Sequence, residues 1–176
     1  MSNRSARRRQ LAADAEPDPF DEREFTAWRG LLRVHTTVTR ELDRRMSERH
    51  DLPLDAYGVL ITLVSAPDGR LTLKQLGARR NLTASGITRS VDRLVQGGLL
   101  ERRPNPADGR SAFVTLTRRG LRRLREAQVT HHATVRELLF ARLSAADLEQ
   151  LGALWEQAMP GAVSSAVWPP PAPDPA

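Results

Sequence analysis

The segment from Arg70 to Gly120 constrains the fold of this chain most strongly, because start and stop signals for two short helices follow one another within it. Thr72 and Gln75 have the spacing of a capping box, which predicts that a helix begins just after Thr72. Thr83 is a good N-cap for a second helix, and the pair Gly97-Gly98 is typical of a helix end. The segment therefore predicts two helices joined by a tight turn.

A basic hairpin follows these helices. Residues 99–103 and 111–116 both have the composition of strands, and the loop between them contains Asp108-Gly109, a strong signal for a tight turn. The hairpin carries three cationic side chains, which are Arg102, Arg103 and Arg110. The order helix, turn, helix and basic hairpin predicts a mainly α fold with a small β-hairpin wing, a winged helix-turn-helix.

The second helix has two chemically different sides at 100° per residue. Its apolar side consists of Ala84, Ile87, Val91, Leu94 and Val95. The opposite side carries Ser85, Gly86, Arg89 and Arg93, with Thr88 and Asp92 on its flank. Arg can donate two hydrogen bonds to guanine, and hydroxyls can contact base edges or phosphates, so this side suits the major groove of DNA. The alternative is an ordinary small α+β unit whose surface arginines are merely solvated.

The chain resembles the MarR family (multiple antibiotic resistance regulators), loosely over residues 24–158. The matching segments are residues 73–77, 83–94, 98–102, 108–110 and 114–120. The resemblance implies a homodimer with recognition helices in successive major grooves and wings in the flanking minor grooves. It also implies that Asp108 orients Arg110 at the wing tip, although Asp is favoured at that turn position in any hairpin.

These observations select two sets of DNA-binding candidates. On the recognition helix they are Thr83, Ser85, Thr88, Arg89 and Arg93. On the wing they are Arg102, Arg103, Asp108 and Arg110.

Composition agrees with a polyanion partner. The 176 residues suit one domain with tails, and 27 Lys and Arg against 21 acids give a net charge of +6. No apolar run is long enough to span a bilayer, and the N-terminus lacks an apolar signal core, so we expect a cytoplasmic protein. The absence of Cys excludes disulfides and thiol-based sensing.

Long helices are predicted on both sides of the DNA-binding unit, which covers about residues 53–117 and is called the reader below. Residues 21–50 and 118–159 carry more apolar surface than a monomeric reader needs, which favours a dimer layer; an intramolecular bundle is the alternative. The domain thus spans residues 21–160. Residues 1–20 form a basic tail and residues 161–176 a Pro-rich tail, and both are expected to be disordered.

Catalytic and metal sites are not expected. His35 and His50 have no ligand partner at helical spacing, and the adjacent His131 and His132 point to different sides of a helix. The chain contains neither a G-x-S-x-G motif nor a phosphate-binding Gly loop. We therefore expect no enzyme activity, no metal and no cofactor.

The resemblance also implies a small amphipathic or phenolic effector, bound between the dimer layer and the reader. The residues selected for such a ligand pocket are Trp28, Arg29, His35, Tyr57 and His131. Packing is the alternative role for each of them.

The sequence as a whole predicts a homodimeric regulator of transcription, a repressor that binds a pseudo-palindromic operator in double-stranded DNA. Two alternatives use the same fold. One is an architectural protein that coats DNA without sequence preference, and the other is an interaction module that does not bind DNA.

Overall fold

The computed structural model describes residues 20–106, 108 and 111–163, and within them the chain forms six α-helices and three strands. The helices are α1 (Glu22–His50), α2 (Leu54–Val64), α3 (Leu73–Arg80), α4 (Ala84–Gln96), α5 (Arg118–Val135) and α6 (Ala145–Ala158). The strands are β1 (Arg70–Thr72), β2 (Leu100–Pro104) and β3 (Ala112–Leu116). A π-helical turn, Arg136–Phe140, continues α5.

Side-chain hydroxyls fix where four of these helices begin. The hydroxyl oxygens of Thr72, Thr83, Thr117 and Ser144 each accept a hydrogen bond from the backbone N–H three residues later. Each bond satisfies an amide that the first helical turn would otherwise leave unpaired. At Thr72 the Gln75 side chain also accepts from the N-cap backbone, so the predicted capping box is confirmed.

The three strands form one antiparallel sheet in the order β1-β3-β2. Leu71 pairs with Val114, and Leu100 pairs with Leu116. Leu71, Val114 and Leu100 are buried, so one face of the sheet closes the core beneath the helices. The hairpin formed by β2 and β3 is the wing, and β1 adds a third strand to it.

The core of the reader is built around α2. Every residue from Ala56 to Leu63 is buried, which explains why this short helix reads as a continuous apolar run. Ile87, Val91 and Leu94 of α4 belong to the same cluster, as does Leu124 of α5. Packing against α2 therefore fixes which side of α4 faces outward.

The chain divides into two compact units, residues 1–36 and residues 37–176, so that the boundary falls within α1. In the described part of the first unit, large apolar side chains are exposed; they are Phe20, Phe25, Trp28, Leu31, Leu32 and Val34. In the second unit, α6 buries none of its residues, and Leu154 and Trp155 are among those exposed.

The predicted fold class, mainly α with a small β-hairpin wing, is confirmed, with three differences in detail. Strand β1 was not predicted. The long helix expected after Thr117 is α-helical only to Val135 and then continues as the π-helical turn, where the Ala141 N–H donates to the Arg136 carbonyl over 2.8 Å. Ala84, expected on the apolar side of α4, is exposed. Most of the two predicted tails, residues 1–19 and 164–176, lies outside the described residues.

Candidate nucleic-acid interface

Helix α4 presents a polar stripe opposite its buried side. Ser85, Arg89 and Arg93 are all exposed, and their spacing of four residues places them along one edge of the helix. On the other side, Ile87 and Val91 are 2% and 0% exposed. The helix therefore offers one hydroxyl and two guanidinium groups to solvent while its apolar side holds it against the core.

Two predicted contact residues also have structural roles at the start of α4. Thr83 Oγ1 accepts from the Gly86 N–H over 3.2 Å and lies 3.4 Å from Ser85 Oγ. Thr88 Oγ1 donates to the Ala84 carbonyl over 2.7 Å. Because its proton is committed to that carbonyl, Thr88 offers DNA an acceptor lone pair and a methyl group.

Arg89 and Arg93 are available for an anionic or base-edge partner. Across the part of the chain that the structure describes, neither guanidinium takes part in an ion pair. A guanidinium presents several N–H donors in a fixed fork, which matches either the acceptor edge of guanine or a phosphate. These two arginines, the cationic side chains of α4, can therefore both bind a nucleic acid.

The two arginines in β2, Arg102 and Arg103, are held by carboxylates. Arg102 Nη2 donates to Asp92 Oδ1 over 2.6 Å, which joins the wing to α4. Arg103 donates to Glu101 Oε1 from both Nε, over 2.9 Å, and Nη2, over 2.6 Å. Both arginines were predicted from sequence as wing contacts, and the structure gives each an acidic partner that DNA phosphates would compete with.

Hydrogen bonds near the tip of the wing join the two sides of the hairpin. Asn105 Nδ2 donates to Ser111 Oγ over 2.9 Å, and the Ser111 N–H donates to the Asp108 carbonyl over 3.0 Å. Asp108 is exposed at this tip. Arg110, the predicted partner of Asp108, lies outside the described residues, as do residues 107 and 109.

Two cations near the wing were missed by the sequence analysis. The Arg70 guanidinium carbon lies 4.8 Å from the centroid of the Phe113 ring. Lys74 lines a cleft of about 470 Å³ together with Arg102 and Asp108. Both were missed because β1 was not predicted, and it is β1 that brings Arg70 and the start of α3 beside the wing.

The start of α5 packs closely against the turn that ends α4. A Cβ atom on Gly120 would lie 2.0 Å from the Leu99 carbonyl oxygen, so only glycine fits there. Thr117 Oγ1 donates to the Gly98 carbonyl over 2.7 Å while it caps α5. Gly98 itself has a φ of 68°, which favours glycine. The end of α4 and the start of α5 are thereby locked together.

The structure brings together two of the five residues predicted for an effector pocket. The rings of Tyr57 and His131 stack with centroids 4.9 Å apart. Burial raises the pKa of Tyr57 to about 12. Burial, and secondarily the charge of His132, lowers the pKa of His131 below its usual 6.5.

The other three predicted pocket residues, Trp28, Arg29 and His35, are exposed on the first part of α1. The guanidinium carbon of Arg29 lies 5.4 Å from the centroid of the Phe25 ring. All three belong to the compact unit that ends at Thr36.

Metal sites and membrane spans are both absent from the residues that the structure describes. In residues 20–106, 108 and 111–163, no three His, Asp or Glu side chains come together in a way that could hold a metal ion. Over the same residues, no helix combines the length and the hydropathy needed to cross a membrane.

Comparison with known proteins gives consistent results along most of the chain. The model of the MarR family matches residues 50–111. The HTH-type transcriptional repressor IacR of Pseudomonas putida is 28% identical over 152 residues, which cover 86% of this chain and 87% of IacR. The HTH-type transcriptional regulator MhqR of Bacillus subtilis is 28% identical over 109 residues, covering 62% of this chain and 73% of MhqR.

Solved structures share the fold. Sco3205, a MarR family transcriptional regulator from Streptomyces coelicolor crystallised in complex with DNA, superposes with a TM-score of 0.75 at 29% identity. That match covers 89% of this chain and 98% of Sco3205. A mutant of MarR from E. coli, complexed with operator DNA, gives a TM-score of 0.63 at 28% identity and covers 80% of this chain and 100% of that protein.

Proposed function

We propose that this chain, which is similar to the MarR family of transcriptional regulators, binds a pseudo-palindromic operator in double-stranded DNA as a homodimer. The observation that carries this proposal is the two-sided chemistry of α4. Its apolar side is buried in the core, and its exposed edge carries Ser85, Arg89 and Arg93. A rigidly held helix with this edge can enter a major groove and read bases there.

The proposed contacts fall into two groups, those that read bases and those that hold the DNA backbone. Arg89, on the middle of the exposed edge, reads a base, and Ser85 and Thr88 contact base edges or position the helix. Thr83, at the N-cap, and Arg93, towards the C-terminal end, contact the backbone. In the wing, Arg110 enters the minor groove with Asp108 as its support, while Arg102 and Arg103 lie closer to the wing base and contact phosphates.

Apolar side chains that are exposed in the described residues support the proposed dimer. Within the first unit, Trp28 and Leu32 are 48% and 46% exposed, and on α6 Leu154 and Trp155 are 51% and 39% exposed. Side chains of this size exposed in clusters are typical of an interface. A two-fold dimer of such readers places its recognition helices about one turn of DNA apart, roughly 34–36 Å, which sets the spacing of the operator half-sites.

We also propose how DNA binding is regulated. The protein acts as a cytoplasmic repressor without catalytic activity, and a small amphipathic or phenolic effector releases it from DNA. The stacked pair Tyr57 and His131 supports an effector pocket, because Tyr57 Oη is buried without a hydrogen-bond partner among the described residues. A buried polar atom of this kind is a group that a ligand could satisfy. For Trp28, Arg29 and His35, which belong to the first compact unit, a contact with the effector stays a prediction from sequence.

The test is binding to the duplex immediately upstream of the protein's own gene, compared with a scrambled duplex at physiological salt. A preference of about a thousandfold or more supports a site-specific regulator. Equal and salt-sensitive binding to both duplexes would instead indicate an architectural protein that coats DNA. Absence of binding to either, in protein freed of small molecules by refolding, would indicate an interaction module on the same fold.

A further inference from the structure

The start of α3 lies between the wing and the recognition helix, α4. Lys74, the second residue of α3, lines the cleft of about 470 Å³ beside the wing, together with Arg102 and Asn105. It also lines a groove of about 320 Å³ between α3 and the start of α4, which Thr88 borders. Leu73 and Lys74 are the two residues common to the cleft and the groove, and Lys74 is the cation of the pair.

This position has a counterpart on duplex DNA. A sugar-phosphate strand separates each major groove from the adjacent minor groove. With α4 in a major groove and the wing in the flanking minor groove, the strand between the two grooves passes over the start of α3. We therefore expect Lys74 to meet a phosphate there rather than the edge of a base.

The Lys74 ammonium is available for such a partner. Its side chain is exposed, and across residues 20–106, 108 and 111–163 it takes part in no ion pair. Arg102, the other cation of the cleft, is held by Asp92 over 2.6 Å. The carboxylate that lines the cleft is that of Asp108, which supports Arg110 in the proposed function. Of the two cations, Lys74 is thus the one with no ion pair to break when a phosphate binds.

Lys74 also differs chemically from the other cations of the proposed interface. It is the only lysine in the sequence, among 27 Lys and Arg residues. Acylation removes the charge of a lysine, whereas a guanidinium stays protonated in proteins. The other cationic side chains proposed to contact DNA are Arg89, Arg93, Arg102, Arg103 and Arg110. Amine acylation can therefore change the charge of this interface at one side chain, Lys74.

We propose that Lys74 binds the DNA phosphate between the two grooves and that acylation of its amine by an acyl phosphate abolishes this contact. The contact rests on the proposed function, since it requires α4 and the wing to be on DNA. An acyl phosphate suits the cleft because Lys74 and Arg102 attract its phosphate group as they attract that of DNA. The neutral amine attacks the acyl carbon, a C–N bond forms, and the C–O bond to phosphate breaks. The phosphate that leaves takes up the proton that the amine loses, and the amide product is uncharged.

Removal of one charge from α3 tests the phosphate contact. Lys74→Gln removes the proposed contact. Arg79→Gln is the matched control, because it removes the same charge from an exposed residue of the same helix, roughly 140° around its axis, that lines neither cleft nor groove. Thermal unfolding establishes that both variants are folded. We expect Lys74→Gln to weaken binding to operator and scrambled duplex by the same factor, about fivefold at physiological salt, and to reduce the slope of log affinity against log salt by about one. We expect neither change in Arg79→Gln.

Treatment of the full-length protein with acetyl phosphate, without DNA, tests the modification site. Mass spectrometry of peptides locates the acetyl groups. Lys74→Arg keeps a positive charge that cannot be acylated, and it retains the amino terminus as an amine, so it controls for acylation elsewhere. The operator affinity of each protein is compared before and after treatment. We expect acetylation of Lys74 and about fivefold weaker operator binding in treated wild type, and no effect of treatment on the affinity of Lys74→Arg.

Four results would overturn the proposal. In protein without DNA, the result is acetylation of the amino terminus while Lys74 stays unmodified. With DNA, the results are an unchanged operator affinity in wild type acetylated at Lys74, an equal loss of affinity on treatment of Lys74→Arg, and equal salt slopes in Lys74→Gln and a wild type that prefers its operator. Failure of untreated wild type to bind DNA at all would instead refute the proposed function, and the phosphate contact with it.

Discussion

Arg102 Nη2 and Asp92 Oδ1 lie 2.6 Å apart, so an ion pair joins the first strand of the wing to the recognition helix. The two side chains are 40% and 46% exposed, and a pair in this environment contributes only about 0–1 kcal/mol to folding. Its larger consequence is geometric, because it couples the direction of the wing to the orientation of α4.

Substitution of Asp92 by Asn tests whether Asp92 acts by fixing the wing through Arg102 or only by its negative charge near DNA. Loss of a negative charge near DNA should strengthen binding if charge alone matters. We expect the opposite for Asp92→Asn, a several-fold loss of operator affinity, because Arg102 is released and the wing is no longer fixed relative to α4. Fluorescence anisotropy with a labelled operator measures the change, and unfolding experiments should show a stability within about 1 kcal/mol of wild type.

Glu101→Gln is the matched control for this test. Glu101 also holds a wing arginine, Arg103, but both residues are on the same strand and the pair does not reach α4. We expect this variant to bind operator and scrambled DNA at least as well as wild type. Tighter operator binding by Asp92→Asn would show that Asp92 acts only through its charge.

Arg89→Ala should remove a base contact. Its side chain is exposed on α4 and has no ion-pair partner among the described residues, so the substitution breaks no ion pair and leaves no cavity in the core. We expect a loss of roughly 1–3 kcal/mol in operator affinity and relaxed preference at one base position. Binding to a set of operators with single base changes measures this, with Arg122→Ala as a control for lost charge. An equal loss on every sequence would assign Arg89 to the phosphate backbone.

Arg110→Ala tests the wing tip. If Arg110 neutralises phosphate charge near the minor groove, its removal should weaken binding to all duplexes and reduce the slope of log affinity against log salt by about one. Affinities at four or five salt concentrations give the slope. Asp108→Ala should produce a smaller change in the same direction, since Asp108 only supports Arg110. An unaltered slope in Arg110→Ala would contradict a phosphate contact.

Gly120→Ala should destabilise the protein strongly. The new Cβ atom would lie 2.0 Å from the Leu99 carbonyl oxygen, and this oxygen is a backbone atom that cannot swing aside as the end of a flexible side chain could. We expect a loss of roughly 1–3 kcal/mol or more in the free energy of unfolding. Gly97→Ala is the control at the same junction, because its Cβ would make ordinary contacts at 3.4 Å and its φ is −72°. Urea unfolding compares the two, and similar losses would show that Gly120 is not specifically required.

His131 should make stability depend on pH. Its pKa is lowered by burial in the folded protein, so around pH 6.5 the unfolded chain binds more protons than the folded one. Stability should therefore fall as pH decreases through 6.5, and level off below the folded pKa. His131→Phe preserves a ring to stack on Tyr57 but cannot titrate. The difference in unfolding free energy between wild type and this variant, measured from pH 7.5 to 5.5, should shift against wild type as pH falls; a constant difference would contradict the mechanism.

Local structure was readily predicted because its determinants are neighbours in sequence. The cap at Thr72 needs only Gln75, three residues away, and the apolar side of α4 needs only the helical spacing of Ile87, Val91 and Leu94. The ordered motif from α3 to β3 then gave the resemblance to the MarR family. The exposed edge that carries Arg89 followed from the same spacing.

Contacts between distant elements were not predictable in this way. Strand β1 is three residues long and exists because Leu71 pairs with Val114 and buries its side chain there. Nothing in the sequence around Arg70 indicates that partner, and the position of Lys74 beside the wing was missed for the same reason.

The sequence by itself determined where helices begin, which side of α4 is apolar and which family the chain resembles, since these depend on hydrogen bonds and spacings within a few residues. Only the tertiary structure decided that Asp92 holds Arg102, that Gly120 must lack a Cβ atom, and that Lys74 lies between the wing and α4. Those relationships arise where helices and strands pack, and the distances there depend on how the whole core is filled.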